Sequence, residues 1–143
     1  MQALTVDQYA RLRQLAEAWS RHHLKAAKRD PRFNPRLGVD ALCFQPHSLK
    51  DGRSGLLGAL VTPVSLSLAL VLDEPAAPPK TEHLVLALPS GRYPFVLESL
   101  GEADWWWRCK LLEDLSDVGS LQEGSRLAQQ LMERVMTPAA PNP

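Results

Sequence analysis

The side chains best suited to metal or redox chemistry are two cysteines and four histidines. They are spread along the chain as His22, His23, Cys43, His47, His83 and Cys109. A zinc or redox site needs ligands at short, regular spacings, and no pair here has one. His22 and His23 are adjacent, so on a helix their side chains point about 100° apart. The sequence therefore predicts no metal site, no bound cofactor and no disulfide framework.

Nucleophilic catalysis has no visible motif in this sequence. A serine or cysteine nucleophile needs a base within reach, and the chain has neither a local catalytic motif nor a glycine-rich phosphate loop. Glu113, Asp114 and Asp117 are close together, but their setting indicates a solvated loop ahead of a helix. We therefore predict that the protein is not an enzyme. Cys109 is a candidate thiol site. The favoured interpretation is that it acts as a small hydrophobic side chain in the core, and the alternative is a reactive or metal-ligating thiol.

Charge and composition exclude several classes of partner. The chain has 143 residues with 16 basic and 16 acidic side chains, so its formal net charge is zero. Such a chain has no long-range field to attract nucleic acid or an anionic membrane. The N-terminal segment lacks the apolar stretch of a secretory signal, which predicts a cytoplasmic protein. One domain is expected over residues 1–137, with a disordered tail over 138–143.

The longest uncharged stretch, residues 56–72, forms the centre of the predicted fold. It is not a membrane span, since a spanning helix needs about 20 apolar residues and this run has polar residues near its middle. The first half is apolar at both parities, as in a strand covered on both faces, and the second half alternates as a half-buried strand does. Thr62 and Pro63 separate the halves. Because proline lacks an amide donor, we predict a tight corner in a central hairpin.

Amphipathic helices are predicted near both ends of the chain. Thr5 and Gln8 fit a capping box at the start of the first helix, which runs to about residue 28 with its apolar stripe toward the sheet. Ser120 and Glu123 fit a second capping box. The apolar stripe of the second helix then comprises Leu121, Gly124, Ala128, Leu131 and Val135, and Leu127 and Met132 widen it.

Residues 83–88 and the returning segment 93–97 alternate as paired strands do. The sequence between them, Leu-Pro-Ser-Gly, has proline and glycine where a tight turn places them. Pro94 confines the returning strand to an edge, or to a site where its missing donor faces solvent. A proline-rich loop is expected ahead of this hairpin, over residues 75–79.

A further short strand is predicted over residues 39–45, with Leu42 and Phe44 on one face. With the segment 105–112 as a last strand, the chain is predicted to be an α+β domain. Its sheet would be mostly antiparallel, with about five or six strands, and flanked by an N-terminal and a C-terminal amphipathic helix.

The tryptophan-rich segment 105–112 contains one residue that is out of place. Parity directs Trp105, Trp107 and Cys109 inward, and directs Trp106, Arg108 and Lys110 to the opposite face. Burial of one tryptophan removes about 150–250 Å² from water, so an exposed Trp106 forgoes a large stabilisation. Two interpretations stay open: the N-terminal helix or a loop covers Trp106, or Trp106 is an exposed anchor for a partner.

Several short motifs in a common order carry a family resemblance. They are Phe33-Asn34-Pro35, the run GALVTP at 58–63, Leu88-Pro89-Ser90-Gly91 followed by Tyr93 and Phe95, Cys109-Lys110-Leu111, and QEGSRL at 122–127. Together they resemble the HybE/HupJ family of [NiFe]-hydrogenase assembly proteins, over about residues 33–136. Two departures are Val64, where the family often has an aromatic residue, and the sequence Leu-Glu-Asp at 112–114 in place of a common Ser-Pro.

The resemblance implies a maturation chaperone or scaffold. Its implied partners are the [NiFe]-hydrogenase large subunit, the small-subunit precursor before export in some members, and other maturation proteins. An exposed strand edge or an apolar patch around Trp106 would supply the binding energy. The candidate partner-binding residues are Thr62, Pro63, Trp106, Arg108 and Lys110. Two alternatives stay open: a carrier of an iron fragment or metal ion through a thiolate of Cys109 or Cys43, and an interaction domain unrelated to hydrogenases.

Overall fold

The computed structural model describes residues 4–73, 81–101 and 104–138. Its elements, in chain order, are α1 (Val6–Ala27), β1 (Asp40–Ser48), β2 (Ser54–Thr62), β3 (Ser65–Leu72), β4 (His83–Leu88), β5 (Gly91–Ser99), β6 (Trp105–Leu112) and α2 (Leu121–Val135). The strands form one sheet in the order β1-β2-β3-β6-β5-β4, and every described pair is antiparallel. The predicted α+β architecture is confirmed. The loop expected at 75–79 and residues 139–143 of the expected tail lie outside the described residues.

The sheet curls, so that the end of β1 and the strand β4 line one groove. One core lies on the inner face, where α2 packs through Ala128, Met132 and Val135. A second core lies on the outer face of the sheet, where α1 packs through Leu12, Leu15, Ala18 and Trp19. The two helices therefore cover opposite faces, as the alternating apolar pattern of a sheet buried on both sides requires.

The central hairpin has the predicted tight corner. Thr62 pairs with Ser65, so only Pro63 and Val64 connect β2 to β3. The prediction of a half-buried β3 is wrong, because both faces of the strand are buried. Helix α1 covers the face that carries Ala69 and Val71, which the alternation alone had left to solvent.

The predicted shared face of Leu42 and Phe44 is also wrong. The register of β1 against β2 shifts between Leu42 and Gln45, and Cys43 has a positive φ of 59°. This bulge turns Leu42 to the inner core and Phe44 to the outer core. The ring of Phe44 lies directly over Gly58, where an added Cβ would come within 2.3 Å of a ring carbon. The bulge therefore requires glycine at position 58.

Strand β5 is an interior strand, so the edge alternative for Pro94 is wrong. β5 pairs with β6 only from Val96 to Ser99, and Pro94 precedes this ladder and is exposed. Within the β4–β5 hairpin, the turn at Pro89-Ser90 makes Leu88 and Gly91 a hydrogen-bonded pair. Pro94 therefore faces Val85 at a position that needs no amide donor. The alternative of a donor-free, solvent-facing site is confirmed.

The first capping box forms as predicted, and the second forms only in part. The amide of Thr5 donates to Gln8 Oε1 over 2.8 Å, and the amide of Gln8 donates to Thr5 Oγ1 over 3.1 Å. At α2, the amide of Glu123 donates to Ser120 Oγ, but the Glu123 carboxylate accepts from the amide of Gly119 instead of Ser120.

The apolar stripe of α2 is as predicted except at Leu121, with Leu127 and Leu131 partly buried beside it. Its buried residues are Gly124, Ala128, Met132 and Val135. Leu121, which was expected in the stripe, is 54% exposed. Gly124 allows the helix to approach closely, since an added Cβ would lie 3.0 Å from a methyl carbon of Leu37.

Candidate functional site

Under α1, on the outer face of the sheet, lies a buried polar cluster that we call the Arg108 cluster. Its members are Ser65, Ser67, Glu98, Trp106 and Arg108. Arg108 is only 5% exposed. Its Nε donates to Ser67 Oγ over 3.0 Å, Nη1 donates to Glu98 Oε2 over 2.8 Å, and Nη2 donates to Ser65 Oγ. The guanidinium thus has a partner for each of its three nitrogens, which offsets much of the cost of burying its charge.

Trp106 is fully buried, so its interpretation as an exposed anchor is wrong. It packs in the outer core with Leu12, Leu15 and Trp19 of α1. Its Nε1 donates to Glu98 Oε1 over 2.7 Å. The alternative that the N-terminal helix covers Trp106 is confirmed. Helix α1 uses the apolar area of this ring to dock on the sheet.

Trp19 connects the helix to the charged part of the cluster. The guanidinium carbon of Arg108 lies 5.6 Å from the centre of the Trp19 ring, a distance at which a cation is attracted by the ring face. Trp19 Nε1 is buried and has no hydrogen-bond partner among the described residues. The contact between Trp19 and Arg108 therefore depends on the face of the ring and not on the indole N–H group.

The structure brings most of the predicted partner-binding residues together, but it buries four of the five. Thr62 and Pro63 are buried at the hairpin corner, and Trp106 and Arg108 are buried in the Arg108 cluster. Thr62 Oγ1 is 3.0 Å from Ser65 Oγ and also accepts from the amide of Ser65, which joins the corner to the cluster. Lys110 alone of the five is exposed. The four buried side chains stabilise the fold, and because they are buried they do not contact a partner directly.

Asn34, to which the sequence analysis assigned no structural role, is a second buried polar junction. Its Nδ2 donates to the carbonyls of Leu115 and Val118, each over 2.8 Å. The backbone amide of Asn34 donates to the carbonyl of Pro63 over 2.9 Å. The side chain and the backbone amide of this one residue thereby join the hairpin corner to the loop between β6 and α2. The sequence did contain a signal for this role. Asn34 is a polar residue between Phe33 and Pro35, in a segment too short to form a core of its own, so the segment must be held by contacts with other parts of the chain.

The two thiols are placed differently. Cys109 lies in the inner core, which confirms its predicted hydrophobic role, and burial raises its pKa. Cys43 is exposed at the β1 bulge, and its pKa is raised by partial burial and then by the nearby charge of Glu133. A raised pKa keeps a thiol protonated at neutral pH, whereas a metal binds the thiolate. In the described part of the chain, no three His, Cys, Asp or Glu side chains are grouped to hold a metal ion.

These observations define an α+β protein whose buried polar groups lock a helix and a hairpin onto one sheet. Over residues 10–143 the sequence matches the family described as [NiFe]-hydrogenase assembly, chaperone, HybE. The chain therefore belongs to the HybE family of [NiFe]-hydrogenase assembly chaperones. The resemblance seen in the short motifs is confirmed, and the interpretation as an unrelated interaction domain is wrong.

Among solved structures, the solution structure of HybE from Escherichia coli is similar to this chain. The two share 22% sequence identity with a TM-score of 0.49, and the match covers 70% of this chain and 67% of that one. A search of curated proteins finds no match. None of the helices within residues 4–73, 81–101 and 104–138 is long and apolar enough to cross a membrane.

Proposed function

We propose that this protein holds an immature [NiFe]-hydrogenase subunit during cofactor insertion or before export. The observation that carries the proposal is the family match, which spans almost all of α1, all six strands and α2. The large subunit is the first proposed client and the small-subunit precursor the second, in the cytoplasm and in company with other maturation proteins. The role is one of binding and not of catalysis.

The docking surface that we propose is the outer face of the β4–β5 hairpin. Helix α1 covers the outer face over β2, β3 and β6, but Val85, Pro94 and Val96 are exposed beyond it. Val85 is 59% exposed and Val96 is 49% exposed. We call these three residues the outer hairpin patch. Because an apolar strand face open to solvent is a usual feature of a binding surface, the patch replaces Trp106 as the proposed source of binding energy.

Lys110 is the member of the predicted partner-binding set that fits this surface. Val96 pairs with Arg108 across the β5–β6 ladder, and Lys110 follows two residues later on the same face of β6. Lys110 is exposed there, at the border of the outer hairpin patch. It supplies a charged rim to an apolar surface, which is the common composition of protein interfaces.

The test is affinity purification of the tagged protein from cells that express a [NiFe] hydrogenase, with mass spectrometry of the eluate. We expect an unprocessed hydrogenase subunit to be retained. A Val85→Asp, Val96→Asp variant is expected to retain at least about tenfold less subunit, since each charge must be desolvated against the partner. Val6→Asp is the matched control, because Val6 is an exposed valine at the start of α1.

Two outcomes would contradict this proposal. Absence of every hydrogenase component from the wild-type eluate would remove the chaperone function. Equal retention of the subunit by the wild type and by the hairpin variant would show that the outer hairpin patch is not the docking surface. The same eluate is assayed for iron: bound iron that is lost in a Cys43→Ala, Cys109→Ala variant would instead favour the thiolate carrier, which the raised thiol pKa values disfavour.

A further inference from the structure

The curled sheet leaves a groove between its first and last strands. The groove has a volume of about 360 Å³. Its walls are the end of β1 with the following turn, from His47 to Arg53, and the strand β4, from Leu84 to Ala87. In the described part of the chain, neither β1 nor β4 pairs with a second strand, so both are sheet edges. The two edges therefore line the same opening.

The register of the β4–β5 hairpin determines which backbone groups face this groove. Leu84, Leu86 and Leu88 are the hydrogen-bonded positions toward β5, counted from the Leu88–Gly91 pair at the turn. In an antiparallel strand the residues between them direct their amides and carbonyls to the other side. Among the described residues no strand pairs with this side of β4, so Val85 and Ala87 present open donors and acceptors there, which an added strand would satisfy.

The charges around the groove select the kind of strand that fits. Its charged lining residues are Lys50, Asp51, Arg53 and Arg92. Arg53 is neutralised by Asp51 at 2.7 Å, which leaves Lys50 and Arg92 without an ion-pair partner among the described residues. Burial lowers the pKa of His47, which keeps that imidazole uncharged at neutral pH. The groove is therefore positive and favours acidic side chains.

The inner side of the groove is apolar. Leu84 and Leu86 of β4 point toward the inner core, and Leu49 packs against the same core from the end of β1. A strand inserted between the two edges would place alternate side chains on this inner side and on the solvent side. The inward side chains must be apolar to extend the core, and the outward ones lie near the unpaired cations.

We propose that this groove binds an extended segment of alternating apolar and acidic residues as an additional β-strand along β4. The occupant is a segment of the immature hydrogenase subunit, so this identification of the client rests on the proposed function. Main-chain hydrogen bonds to Val85 and Ala87 supply affinity, and Arg92 with Lys50 supplies the preference for acidic side chains. The added strand extends the sheet beyond β4, with the end of β1 and its following turn as the opposite wall.

The groove is tested first with a synthetic probe that does not depend on the hydrogenase. The probe is a capped peptide of about seven residues that alternates valine and glutamate, the length of an ordinary strand, and the control peptide has lysine in place of glutamate. Affinity is measured by fluorescence anisotropy, and amide hydrogen exchange is measured at Val85 and Ala87. We expect binding of the acidic peptide, slower exchange at both amides, and at least about tenfold weaker binding of the lysine peptide.

Two variants separate backbone pairing from charge. Ala87→Pro removes a donor that faces the groove without removing a β4–β5 hydrogen bond, and is expected to weaken binding of the acidic peptide about tenfold. Ala87→Ser keeps that donor and is the matched control. Arg92→Glu is expected to weaken the binding of the acidic peptide and to strengthen the binding of the lysine peptide. Circular dichroism and the urea midpoint establish that each variant is folded.

The outcomes distinguish this proposal from the function on which it rests. If the acidic peptide slows exchange at neither Val85 nor Ala87, or if Ala87→Pro binds it as well as Ala87→Ser does, strand addition is overturned even where the wild type retains a subunit. If the peptide binds as expected but the wild type retains no hydrogenase component, the groove stands as a site for acidic strands and the proposed client is wrong.

Discussion

The guanidinium of Arg108 on β6 donates from Nη1 to Oε2 of Glu98 on β5 over 2.8 Å. The β5–β6 ladder is short, from Val96 to Ser99, and this ion pair lies across it. The other oxygen of the Glu98 carboxylate accepts from Trp106, so one carboxylate fixes both a charge and an aromatic ring under α1. The ion pair thus connects the covered part of the sheet to the hairpin that carries the proposed docking surface.

Replacement of Arg108 by methionine is expected to lower the free energy of unfolding by about 3 kcal/mol, since it leaves Glu98 without its cation and removes the guanidinium donor from two buried serines. Arg108→Lys is expected to recover little, because a single ammonium group cannot reach three acceptors in different directions. Urea denaturation measures both variants. Lys110→Met, on the exposed part of the same strand face, is the control and should change stability by less than about 0.5 kcal/mol. Equal urea midpoints for Arg108→Met and Lys110→Met would contradict a stabilising role of the cluster.

Replacement of Asn34 by alanine is expected to destabilise the protein by about 2–3 kcal/mol. It removes the donor to the carbonyls of Leu115 and Val118, which are left in a buried setting. Asp117→Ala changes an exposed residue of the same loop and should have little effect on the urea midpoint. A loss for Asn34→Ala no larger than that of the control would show that water replaces the missing amide.

A methyl group at position 58 is expected to cost about 1–3 kcal/mol, because it would overlap the ring and the Cα of Phe44 at the β1 bulge. Thermal unfolding of Gly58→Ala measures the loss. Gly38→Ala is the matched control, since a Cβ there meets only a carboxylate oxygen of Asp40 at 3.8 Å. If both variants melt at the wild-type temperature, Phe44 moves aside at no cost and the close packing at the bulge does not constrain the sequence.

Burial of Cys109 predicts a loss of stability in mildly alkaline solution. Because the folded state raises the pKa of this thiol, the folded protein holds the proton more tightly than the unfolded chain does. The stabilisation is complete well below about pH 8.5, where a free thiol is half-ionised, and it is lost as the pH rises through the higher folded pKa. Urea midpoints measured from pH 7 to about pH 10 should fall less steeply for Cys109→Ala than for the wild type. A slope unchanged from the wild type would show that this thiol titrates alike in both states.

Periodicity and local capping chemistry were sufficient for the element types and for much of their order along the chain. The run at 56–72 indicated a hairpin, Thr5 and Gln8 indicated where α1 begins, and the parity of 105–112 placed Trp106 and Arg108 on one face together. These features are local, since each depends on residues within a few positions of one another. The family resemblance likewise came from short motifs in a fixed order.

The tertiary structure alone decided what covers each face. Alternation assigns the side chains of β3 and β6 to two faces, but it cannot show that α1 lies over Ala69, Val71 and Trp106, because the contacts join segments more than 40 residues apart. The bulge at Cys43 also has no periodic signature, and one extra residue reverses the direction of every side chain after it. The sequence by itself therefore determined the elements and the family, whereas long-range packing buried the predicted contact residues and left the β4–β5 hairpin and the groove beside it open.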